Sequence, residues 1–81
     1  MTLNETVDLM LSNDYKDRLK AEYYQTEIRL NKLKIAIAKY KASTIGYSVA
    51  GGLASLMEQK RDMESYLETL FVRAELDGIE L

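Results

Sequence analysis

The side chains best suited to chemistry in this sequence are cations and tyrosines set along one long helical segment. Arg18, Glu22, Gln25, Arg29 and Lys32 follow one another at intervals of 4, 3, 4 and 3, which puts them in a single stripe on a helix. A row of fixed guanidinium groups suits an anionic ligand, because the planar fork of arginine meets a phosphate or carboxylate with two parallel hydrogen bonds. Tyr15, Lys16 and Arg18 fall in the first turn of that segment, where backbone N–H groups without helical partners also favour anions. The plainer use of the stripe is salt bridging, Glu22 with Arg18 or Arg29, and the spacing by itself favours that use. Tyrosine supplies six of the seven aromatic rings. Tyr15 and Tyr47, at segment ends, are free to stack on a base, whereas Tyr23, Tyr40 and Tyr66 lie on apolar seams and belong to a core or an interface.

Catalysis finds much less to work with. The chain has no His and no Cys, so a Ser or Thr nucleophile lacks its usual base and a zinc site lacks its usual ligands. The carboxylate pairs sit on helix surfaces. Gly51-Gly52 is not followed by the Lys-Ser/Thr of a phosphate-binding loop. The expectation is a protein that is not an enzyme, with no catalytic residues, no metal and no cofactor.

Charge narrows the partners. A net charge of −2 argues against duplex nucleic acid, whose binding runs on neutralising phosphates. The charge is unevenly spread: residues 14–41 carry eight Lys or Arg against four Asp or Glu, and residues 58–81 carry three against seven. Two such segments lie side by side with little repulsion. No apolar run reaches the 18 residues of a membrane span. The opening MTLNETVDLML has acids where a signal peptide has Lys or Arg, so an intracellular, cytoplasmic location is expected.

These side chains must be positioned by helices. Pro is absent and Leu, Ala, Glu and Lys abound, which predicts an all-α chain. Thr2 and Glu5 have the spacing of a capping box for a short helix over about residues 3–11, with Leu3, Val7, Met10 and Leu11 on one side. Ser12-Asn13-Asp14 interrupts it and offers N-caps. A second helix is predicted over about residues 14–42. Its seam is Leu19, Tyr23, Thr26, Leu30, Leu33, Ile37 and Tyr40, spaced by alternating fours and threes. A second apolar row, Tyr24, Ile28, Ile35 and Ala38, lies well round the helix from that seam. The short first helix covers only part of it. The segment Ser43-Thr44-Ile45-Gly46-Tyr47-Ser48-Val49-Ala50-Gly51-Gly52 reads as the turn of a hairpin. A third helix is predicted over about residues 53–76, with a stripe of Leu53, Leu56, Met63, Leu67, Leu70 and Ala74 that Met57, Tyr66 and Phe71 widen. Lys60 is its misfit. Gly78 ends this helix as its C′ residue, and Ile79-Glu80-Leu81 docks.

The fold so predicted is a short N-terminal helix followed by a long antiparallel helical hairpin, one domain over residues 1–81. A chain of 81 residues buries a modest core. With apolar rows on two sides of the second helix, it is expected to oligomerise.

Two stretches, DYKDRLKAEYYQTEIRLNKLKIAI (14–37) and MESYLETLFVRAELDGIEL (63–81), resemble the phage hairpin family of cyclic-nucleotide sponges, which counter bacterial CBASS and Thoeris immunity. The features that weigh most are the Tyr-Lys-x-Arg-x-x-Ala-Glu-Tyr opening and the Arg-Ala-x-x-x-Gly-Ile-Glu ending. The resemblance implies a symmetric homo-oligomer, a hexamer, that binds cyclic di- or trinucleotides in the cytoplasm of the infected host without cleaving them. It further implies that Tyr15 stacks on a base, Arg29 meets a phosphate and Arg73 lines a second site. Many relatives have a longer, Pro-containing connector where this chain has STIGYSVAGG, and the larger ones add a C-terminal part that takes cyclic ADP-ribose isomers. Two other readings stay open on the residues alone: a small helical phage protein that binds and inhibits a host protein, and a purely structural oligomer.

Overall fold

Local signals start and stop the helices largely where the residues predict. In the computed structural model, which describes residues 1–11, 14–42 and 51–81, α1 spans Leu3–Met10, α2 spans Tyr15–Lys41 and α3 spans Gly52–Leu76. The capping box at α1 is formed: the Glu5 N–H donates to Thr2 Oγ1 at 3.3 Å and the Thr2 N–H donates to Glu5 Oε1 at 3.4 Å. Asp14 caps α2 by accepting the Lys16 N–H on Oδ1 at 2.9 Å. Lys39 and Lys41 stand in the last turn of α2, where their charge complements the exposed carbonyls. The expected hairpin turn over 43–50, with Tyr47 in it, lies outside the described residues, as do Ser12 and Asn13.

Three described glycines, Gly51, Gly52 and Gly78, carry a left-handed φ that a side chain would strain. Gly52 opens α3 at φ +60°, and a Cβ there would stand 3.1 Å from the Tyr40 hydroxyl at the end of α2. Gly78 sits at φ +69° and turns the chain after α3. The Ile79 N–H then reaches the Ala74 carbonyl at 2.8 Å and the Gly78 N–H reaches that of Glu75 at 3.3 Å. That paired closure is a Schellman motif, and it comes with the apolar contact such motifs favour. Ile79 is buried with Leu19, Leu70 and Ala74, and Tyr23 and Leu81 pack against the cluster. The tail therefore docks and ties the C-terminal end of α3 to the first turns of α2.

The hairpin itself is held by the predicted seam. Leu19, Thr26, Leu30 and Ile37 of α2 and Leu56, Leu70 and Ala74 of α3 are buried, and Tyr23, Leu33, Tyr40, Met63 and Leu67 are half-buried beside them. Burial of a leucine such as Leu70, 1% exposed, contributes about 1.5–3 kcal/mol. Lys60, the misfit of the α3 stripe, is half-buried and lies 3.8 Å from Glu64 one turn on. Met57, Tyr66 and Phe71, expected to widen that stripe, are instead exposed at its edges.

The first helix packs in a way its apolar residues did not indicate. Thr6 is its one buried side chain, fully covered, and the Gln25 side-chain amide donates to Thr6 Oγ1 at 3.2 Å. Ala21, one turn before Gln25, is also fully buried. Small residues let the two helices approach closely, and that approach outweighs the apolar side. Leu3, Val7, Met10 and Leu11 do share one side, but it faces solvent, with Leu11 78% exposed. Of the second apolar row on α2, Tyr24 and Ile28 are half-buried, and Ile35 and Ala38 stay exposed.

Candidate functional site

Antiparallel packing at heptad register builds a polar ladder along one side of the seam. Positions 15, 22 and 29 of α2 and positions 73, 66 and 59 of α3 each step by seven residues, so they recur on one face of each helix and meet as rungs. At the first rung an Arg73 Nη donates to the Tyr15 hydroxyl. The guanidinium carbon is 5.9 Å from the centre of the Tyr15 ring, near the outer reach of cation–π attraction, so the hydrogen bond is the firmer link. The ring remains 44% exposed and open to a stacking partner. The docked tail described above holds this rung, since it fixes the end of α3 that carries Arg73.

At the second rung the Tyr66 hydroxyl donates to Glu22 Oε1 at 3.2 Å. The same oxygen lies 3.9 Å from Arg29 Nη2. Tyr66 ionises less readily than a free tyrosine: burial of its hydroxyl end raises the pKa, and the Glu22 charge and hydrogen bond act the same way, while the charges of Arg73 and Arg29 oppose them. Arg29 thus stands beside this rung and Arg73 on the one before it. The Glu22–Arg29 pair is exposed, at 59% for the Arg29 side chain and 33% for Glu22. Pairs of that kind contribute about 0–1 kcal/mol, so separating Arg29 from Glu22 costs little. Hydrogen bonds from arginine to phosphate are roughly twice as strong as neutral ones.

At the third rung Arg29 and Gln59 line one open cavity of about 430 Å³ with Thr26, Lys32, Met63 and Tyr66. The ladder thus combines two guanidinium groups, an ammonium, two phenols and a carboxylate. Such a set can bind, orient and neutralise an anion. Among the described residues no group of three or more His, Cys, Asp or Glu could hold a metal ion, and no described helix is long and apolar enough to cross a membrane.

The residues singled out from the sequence fall into two sets. Tyr15, Arg29 and Arg73 come together on the ladder, although Tyr15 and Arg73 are 58 positions apart. Lys16 and Arg18 are exposed at the start of α2, and among the described residues no hydrogen bond or ion pair joins either side chain to the rungs. The free N–H groups expected there are partly taken: Asp14 caps that of Lys16 with its own carboxylate, which also makes the turn less welcoming to an anion. In the polar stripe of α2, Glu22 and Arg29 are rungs and Lys32 lines the third-rung cavity, while Gln25 is drawn away to Thr6. Tyr66 and Gln59 were not anticipated as site residues. Their signal was the seven-residue spacing of 59, 66 and 73 beside the apolar stripe, matching that of 15, 22 and 29.

A family model described as Sequestin matches residues 13–76, which take in all three rungs and the hairpin that carries them. No curated protein matches the chain, and no solved structure does.

Proposed function

The chain belongs to the Sequestin family, and from that premise we propose that it binds and sequesters a small phosphorylated nucleotide without altering it. The observation that carries this reading is the placing of Arg29 beside Glu22 and of Arg73 on the Tyr15 hydroxyl along one edge of the hairpin, with half-exposed Tyr15 at the end of the same face. Guanidinium groups take phosphates and tyrosine faces take bases. Retention without turnover suits a site with no nucleophile–base pair. In the finer form, the ligand is a cyclic di- or trinucleotide second messenger, and the protein is a phage product that blocks CBASS-type signalling in the cytoplasm of its host. An open groove on one hairpin leaves much of such a ligand wet. A homo-oligomer, a hexamer in the form implied by the resemblance above, closes the groove with a second copy.

Isothermal titration against cyclic di- and trinucleotides, with cyclic ADP-ribose isomers and linear mononucleotides alongside, tests the proposal. Saturable binding of a cyclic nucleotide that Arg73→Ala weakens at least tenfold is the expected result. A silent panel would sink it.

A second reading has its own support. The outward row of Leu3, Val7, Met10 and Leu11 on α1 is the kind of surface through which a small helical protein engages and inhibits a host protein. Stoichiometric recovery of one host protein in a pull-down, with no nucleotide bound, favours that alternative.

A further inference from the structure

Three polar side chains around the third-rung cavity have no partner. Thr26 is 2% exposed, and its hydroxyl is buried without a hydrogen bond. A polar group left so costs about 1–3 kcal/mol, and native structures rarely keep that cost without a use for the group. Gln59 and Lys32 make no hydrogen bond or ion pair among the described residues, although both line the same cavity. Met63 and the Tyr66 ring, 45% exposed, supply apolar wall, and Arg29 stands at the α2 side. A volume of about 430 Å³ is at the lower end of ligand pockets, which fits one nucleoside unit better than a whole cyclic dinucleotide.

The chemistry of the lining selects the base. A glutamine carboxamide offers one donor and one acceptor side by side. Adenine presents the matching pair, its N6 amino group as donor and N7 as acceptor, whereas guanine presents two acceptors, O6 and N7, along the same edge. A thioether and a phenol ring suit a purine's flat faces. Arg29 and Lys32 suit the phosphate attached to it. Resting on the sequestering reading above, we infer that the cavity lined by Thr26, Arg29, Lys32, Gln59, Met63 and Tyr66 is an adenine subsite, with Gln59 as the residue that reads the base. Seating the base there also brings its polar edge, directly or through one water, toward the orphaned Thr26 hydroxyl.

The test compares cyclic di-AMP with cyclic di-GMP by titration calorimetry on wild type, Gln59→Glu and Arg29→Ala. Wild type is expected to prefer cyclic di-AMP by about tenfold or more. Gln59→Glu loses the donor and keeps only acceptors, so cyclic di-AMP binding weakens about tenfold and the preference disappears. Its helical circular dichroism and melting midpoint stay unchanged, because Gln59 is exposed and has no hydrogen bond among the described residues. Arg29→Ala weakens both ligands alike. If both ligands bind and Gln59→Glu leaves their ratio untouched, the adenine subsite is wrong while sequestration stands. If neither ligand nor any other nucleotide binds wild type, both ideas fail together.

Discussion

The two helices that pack on α2 do so by opposite rules. α3 meets it through leucines, isoleucine and alanine at heptad spacing, with polar rungs only at the margin. α1 meets it through a buried threonine and a glutamine amide, and turns Leu3, Val7, Met10 and Leu11 outward. The difference separates the part of the molecule that is self-sufficient from the part that is not. The α2–α3 seam hides its own hydrocarbon and leaves donors in register along its edge, which is where a ligand fits. The α1 layer leaves hydrocarbon in water, which is where a protein surface fits. In the function proposed above, the first arrangement lines up the binding edge and the second offers a surface to another copy.

The comparison breaks most visibly at the seam. Leu70→Ala removes a side chain that is 1% exposed and is expected to cost about 2–5 kcal/mol, a large fraction of the stability of so short a chain. Loss of helical signal in a denaturant titration checks it, and a loss below 1 kcal/mol would show that the seam is not the core. Arg29→Ala should leave that titration unchanged while lowering nucleotide affinity at least tenfold, about 1.4 kcal/mol. If folding and binding fall together, the ladder is part of the core and the division drawn above is false. Thr2→Ala removes the hydroxyl that accepts the Glu5 N–H, while the backbone N–H that donates to Glu5 remains, and should cost about 1 kcal/mol, read as faster amide exchange confined to α1. Glu22→Gln should act in the opposite sense on binding and tighten it a few-fold, because the carboxylate next to Arg29 contributes at most about 1 kcal/mol and competes with the ligand phosphate. Val7→Asp, on the exposed side of α1, should change folding by no more than about 0.5 kcal/mol and yet reduce the mass measured by light scattering. An unchanged mass would leave the outward row without a second copy to explain it.

What could be read from the residues follows the same division. The seam, the capping box and the Gly78 turn each rest on local or periodic rules, and the residues that make them are adjacent in sequence or repeat along one helix. The side on which α1 packs depends on how closely Thr6 and Ala21 let two helices approach, which apolar periodicity does not encode. Tyr66 looked like a core residue because it flanks an apolar stripe. It is a rung instead, because its position sits one step round the helix from Leu70 and Ala74, and which step faces the seam is decided only by the partner helix. Arg73 and Tyr15 were each visible as candidates. Their pairing was not, because it follows from the register of two helices joined through a segment outside the described residues. Lys16 shows the converse: a helix start is attractive to anions in general, but the carboxylate of Asp14 already takes one N–H of this one.

The central claim, retention of an intact nucleotide by the ladder, is most directly tested by mixing the protein in excess with cyclic di-AMP, filtering off the free ligand, then denaturing the protein and weighing what is released. The account predicts an empty filtrate and full recovery of a compound of unchanged mass, with the compound staying in the filtrate for Arg73→Ala. A filtrate that keeps the compound in the presence of wild type, or a released product of altered mass, would contradict it.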